Sequence, residues 1–136
     1  MKKQVLFTLC SLIAFSLSAQ KMSKNKKAVL ASVEMHKAEL IKISDSIWAL
    51  AETAFKESGS SAVLADYAEK NGMTVTRGVA DIPTAFTATY GSGKPVISIL
   101  GEFDALPGIS QKASPTKEAY EVGAAGHGCG HNMFGT

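Results

Sequence analysis

Three side chains able to ligate a metal fall within five residues in the run Gly126-His127-Gly128-Cys129-Gly130-His131-Asn132. Imidazole and thiolate are the donors that zinc and related divalent ions prefer. Glycine at every second position disfavours a helix. In an extended chain alternate residues share a face, so the spacing predicts His127, Cys129 and His131 projecting to one side. The glycines also permit close backbone approach without a Cβ clash. A Cys-His nucleophilic pair is the competing chemistry. Such partners usually meet through the fold rather than at Cys-x-His spacing, and they need a third group behind the imidazole. Metal binding is the preferred reading.

A second cluster, Glu102-Phe103-Asp104-Ala105-Leu106-Pro107, follows a strongly apolar run. Carboxylates at i and i+2 beyond a strand's carboxyl end point to the same side, at the rim where open α/β sheets place their ligands. Alone, an acidic loop start is ordinarily a solvated or capping feature. Joined to the His and Cys donors, it supplies what a two-metal hydrolase needs to polarise a carbonyl and activate a water.

These loops need elements to hold them. From Lys26 to Phe55 apolar residues recur every three or four positions without Gly or Pro, predicting a long amphipathic helix. Ala62 to Asn71, capped by Ser60 or Ser61 and closed by Gly72, predicts a shorter second helix. The period then becomes two. Met73 to Val79 and Pro83 to Tyr90 read as strands, and Gly91-Ser92-Gly93-Lys94 as a turn folding the second onto Pro95 to Leu100. The run Val96-Ile97-Ser98-Ile99-Leu100 reads as a central strand covered on both faces. The expected class is α/β, with helices packed on a mixed sheet and an irregular connection from Gly101 to Gly126.

Residues 1–19 combine a short basic start, an apolar stretch from Val5 to Leu17, and small residues at Ser18 and Ala19. That is the layout of a secretory signal peptide and predicts export to the periplasm or the extracellular space. The run falls short of the about 20 apolar residues that span a bilayer, so no membrane association is expected after its removal. Residues 20–27 form a basic junction, and 28–136 the folded part. The formal charge of +2 comes from the leader and junction. From Ala28 onward 8 basic residues face 12 acidic ones, a charge of −4 that argues against a nucleic-acid partner. If Cys10 leaves with the leader, Cys129 remains alone and no internal disulfide forms. An unpaired Cys in an exported protein is an oxidation liability, which favours a buried, metal-bound or catalytic thiol.

The series Ile99-Leu100-Gly101-Glu102-Phe103-Asp104-Ala105-Leu106-Pro107-Gly108, then Ser110-Gln111-Lys112-Ala113, then Gly126-His127-Gly128-Cys129-Gly130-His131-Asn132 resembles the M20 metallopeptidase and amidohydrolase family, in its aminobenzoyl-glutamate hydrolase branch. Glu52, Phe55 and Glu57, expected on the first helix, are in keeping with it. The resemblance implies an α/β catalytic domain that holds two divalent ions, zinc or manganese, and hydrolyses amide bonds of amino-acid conjugates or dipeptides. It further implies a lid or dimerisation domain and a homodimeric or hetero-oligomeric assembly. Carried over by motif, Cys129 and His131 are metal ligands, Asp104 orients a ligand or supports the site, and Glu102 and His127 lie near the metals. It also implies paired glutamates and further His ligands after Thr136, so that residues 28–136 are the amino-terminal part of such a domain and inactive alone. The alternative from a different class is an exported transition-metal-binding module using His127, Cys129 and His131.

Overall fold

The structure is a computed structural model that describes residues 22–136; the leader at 1–19, Cys10 within it, and residues 20 and 21 of the junction lie outside the described residues. Two compact units are distinguished, Met1–Lys37 and Ala38–Thr136. In the described part of the first, helix α1 (Lys24–Leu50) begins, and Val29, Leu30, Val33 and Met35 stand exposed. Lys37 pairs with Glu34 one turn away, 3.3 Å apart. Among the described residues no helix is long and apolar enough to cross a membrane.

The second unit carries the α/β architecture. The carboxyl-terminal half of α1 buries Ile43 and Ile47, and helix α2 (Ser58–Lys70) buries Leu64 against them. Val63, Tyr67, Phe86 and Phe103 pack around this cluster, the two Phe rings 6.1 Å apart. Removing a side chain of this size from water stabilises by about 1.5–3 kcal/mol, so three such residues form a small but definite core. Strands β1 (Thr74–Arg77) and β2 (Phe86–Thr89) pair antiparallel, Val75 opposite Ala88, and pack on α2. Arg77 links sheet to helix through Asp66 at 2.7 Å and Glu69 at 3.2 Å.

Three expectations are corrected. The first helix stops at Leu50 rather than Phe55, with Ala51 in the left-handed region at φ 45°. Beyond it the backbone turns to other partners: Ala105 N–H donates to Glu52 O at 2.7 Å, and Thr53 bridges Ala105 in parallel. Glu52, Phe55 and Glu57 therefore lie off the helix. The second helix begins at Ser58, and Ser60 sits inside it rather than at its cap. Finally, β2 pairs with β1 and not with Pro95 to Leu100, whose residues form no strand and expose Val96, Ile97, Ile99 and Leu100 by 81–91%. A central strand needs a hydrogen-bonded neighbour on each edge and a cover on each face; among the described residues this run has neither.

Candidate active site

The acidic motif is clamped from both sides. Ala105 is tied to the Glu52 carbonyl, and Leu106 exchanges both backbone hydrogen bonds with Gly126, at 2.9 and 3.0 Å. Glycine is required at 126 because a Cβ there would come within 2.5 Å of the Ile109 carbonyl oxygen. The two motifs, far apart along an irregular loop, are thus joined at the backbone.

The Gly-rich run is not extended. After Gly126 it turns through Gly128 and Cys129, the Gly130 N–H donating to the His127 carbonyl at 3.1 Å. Gly130 takes φ 75° and helix α3 (His131–Gly135) begins. This corrects the expectation of one shared face. The donors do not line one extended face, and among the described residues no three His, Cys, Asp or Glu side chains gather as a metal-holding group. The Cys129 thiol is exposed. Buried Asn132 anchors α3 to α1, its amide donating to Ser44 Oγ at 3.0 Å.

His131 comes to lie between the two carboxylates that the sequence singled out. Its Nδ1 is 2.9 Å from Asp104 Oδ1 and 3.1 Å from the Asp104 carbonyl oxygen. A carbonyl only accepts, so Nδ1 carries the hydrogen. On the other side Nε2 faces Glu102 Oε2 at 3.4 Å. In the neutral ring Nε2 presents a lone pair to a carboxylate, and the two repel unless a proton or a cation lies between them.

His127 is fixed differently. Nε2–H donates to the Ile47 carbonyl at 3.0 Å, leaving Nδ1 as the lone-pair nitrogen, buried and without a hydrogen-bond partner. Burial lowers its pKa, and the neighbouring His131 adds to that; the Ile47 carbonyl and Asp104 oppose it. Burial thus favours the neutral ring and leaves Nδ1 unengaged, the condition of a ligating imidazole oriented by a backbone carbonyl. The donor types therefore fit a divalent ion, although the described residues do not close a coordination set.

Glu52 has a role the sequence did not disclose. Its carboxylate accepts from Gly59 N–H at 2.9 Å and from Ser60 N–H and Oγ–H at 2.8 Å, capping α2 from outside the helix. Burial pushes its pKa up, but the three hydrogen bonds outweigh this and the net shift is downward. A capping residue placed well before the helix leaves no local signal. Beside His127 a groove of about 720 Å³ is walled by Trp48 and Tyr120, two residues that nothing in the sequence connects.

No family model matches the chain. Over 108 residues it is 48% identical to one of the subunits of the p-aminobenzoyl-glutamate hydrolase of Escherichia coli (strain K12), an alignment covering 77% of this chain and 22% of that protein. The chain thus spans about a fifth of the length of a curated relative that is a hydrolase of an aminobenzoyl-glutamate conjugate.

Proposed function

We propose that this chain belongs to an exported, metal-dependent hydrolase of M20 type that cleaves amide bonds of amino-acid conjugates, aminobenzoyl-glutamate among them. The observation that carries the reading is the placement of His131 between Asp104 and Glu102, within a sequence similar to a hydrolase of that conjugate. Asp104 fixes the His131 tautomer and ring orientation, so that Nε2 is the nitrogen offered outward. Glu102 places negative charge beside that nitrogen. Cys129 and His131 would hold a zinc or manganese ion, which when bound polarises the amide carbonyl and lowers the pKa of a water. His127, anchored on α1, keeps a second basic nitrogen near His131. Further ligands and the general base come from outside these two motifs.

The test uses the gene product in full, assayed for glutamate release from p-aminobenzoyl-glutamate and analysed for bound metal. Activity is expected to disappear with chelator and return with zinc or manganese. Asp104→Asn should lower it by about 10–100-fold, the usual cost of losing a group that orients a ligand. Cys129→Ala should remove most of the metal. Metal-free protein with chelator-resistant activity, or no amide cleavage with either ion added, overturns the reading.

A further inference from the structure

The groove beside His127 carries a charge as well as rings. On one wall Trp48, from the last turns of α1, meets Tyr120 edge-to-face, with ring centroids 5.6 Å apart and planes at 70°. Both rings keep open surface, Trp48 being 36% and Tyr120 66% exposed. Next to Tyr120, Glu121 lines the same space. At about 720 Å³ the groove is within the range of about 300–1,000 Å³ that holds small organic ligands.

The charges around it do not balance. Lys112 lines the groove too, but its ammonium pairs with the Glu118 carboxylate, and the backbones of the two join at 2.8 Å. Gln111 holds the same loop, donating to Thr116 O at 2.8 Å and accepting from the Glu118 N–H at 3.1 Å. Glu121 takes part through its backbone alone: its N–H donates to Ser110 Oγ at 3.3 Å, and its carbonyl accepts from the Ala124 N–H at 3.2 Å. Its carboxylate has no hydrogen-bond or ion-pair partner among the described residues. The loop therefore presents Tyr120 and Glu121 together on a hydrogen-bonded backbone, with one negative charge left over beside two rings.

A ring face and a carboxylate attract the same kind of group. The face of the ring is negative and draws a cation lying within about 6 Å of its centre, and the carboxylate adds a full charge. An alkali-metal ion holds its water too tightly to exchange it for an aromatic surface. An anion meets repulsion from Glu121, and a neutral molecule forgoes that charge. An alkylammonium suits rings and carboxylate together, because its alkyl groups spread the charge, hold water weakly and supply apolar contact.

We propose that this groove is a binding site for an organic ammonium ion, with the alkylated nitrogen against Trp48 and Tyr120 and its charge balanced by Glu121. The site uses none of Glu102, Asp104, Cys129 and His131, so it stands apart from the hydrolase reading.

Trp48 is the single tryptophan of these 136 residues, so its emission reports the site directly. The chain is titrated at constant ionic strength with choline and with its neutral isostere dimethylbutanol, in which carbon replaces the nitrogen. Choline is expected to change Trp48 emission saturably and to bind at least about fivefold more tightly than the alcohol. Glu121→Gln keeps the size of the side chain and the backbone bonds of the loop. It should leave the far-ultraviolet circular dichroism unchanged while weakening choline about fivefold and the alcohol not at all. Tyr120→Leu keeps apolar contact and removes the ring, and should weaken choline by a similar factor, about fivefold. Equal affinity for choline and the alcohol, or a choline titration unaltered in Glu121→Gln, overturns the assignment. Choline binding unaltered in Tyr120→Leu overturns it as well, since that leaves a surface ion pair without an aromatic site.

Discussion

Two apolar stretches of similar composition meet opposite fates. Ile43 and Ile47 on α1 are buried against Leu64, Ile47 completely, whereas Ile97 and Ile99 are among the most exposed residues of the second unit, Ile99 by 91%. Both runs are rich in isoleucine, with Lys42 and Asp45 beside the buried positions of the first and only Ser98 breaking the second. The difference is in what each can reach. A helix satisfies its own backbone and needs a partner for one face only, and α2, joined to α1 by a short connection, supplies it. A central strand needs partners for its backbone edges as well as both faces, and those are long-range requirements. Hydrophobicity therefore marks what wants to be buried, and connectivity decides what is.

The comparison is most severely tested at Ile47. Ile47→Ala removes a fully buried side chain and should cost about 2–5 kcal/mol of stability, read as the urea midpoint of the chain. A loss below about 0.5 kcal/mol would place the core elsewhere. Asn132→Ala, which strands the Ser44 hydroxyl and frees α3 from α1, should cost about 1–3 kcal/mol by the same measurement. It also carries His131 with it, so activity of the full gene product should fall more than stability does.

Glu52→Gln should cost about 1 kcal/mol through the cap on α2. Its pH signature is specific. The folded carboxyl has a pKa below its ordinary 4.5, so the folded state favours the charged form. That stability is fully present above about pH 4.5 and is lost as the pH falls through the lower folded value. The melting temperature of the wild type should therefore decline below that pH more steeply than that of Glu52→Gln. Parallel curves would remove the cap as its cause. At the small end, Ile99→Ala should change stability by less than about 0.5 kcal/mol, against the much larger effect at Ile47. A comparable loss would show that the exposed run is covered in solution.

Much of the site is legible in the sequence because its chemistry is clustered. Asp104 and Glu102 stand two residues apart and His131 follows in a Gly-rich run, so the grouping of residue types announces itself. The α1 and α2 periodicities likewise predict both helices within a few residues at each end. Geometry set at long range is what local reading misses. The turn at Gly128-Cys129 depends on the Gly130 N–H finding the His127 carbonyl and on α3 being pinned by Asn132 to Ser44. The early end of α1 depends on Ala105 capturing the Glu52 carbonyl, far away in sequence. Trp48 and Tyr120 meet across a still longer separation, and neither has a neighbour that foretells the other.

The sequence by itself determined which donor and acidic residues cluster, that α1 and α2 form, and that the residues from Ala28 onward are acidic, because charge, donor type and a 3.6-residue period are local properties. Only the tertiary structure decided that His131 sits between Asp104 and Glu102, that His127 keeps its Nδ1 lone pair by donating Nε2–H to Ile47, and that the Val96 to Leu100 run forms no strand. Each of these is a competition among distant partners for the same hydrogen bond or the same apolar face, and its outcome is fixed by which of them the chain brings within reach.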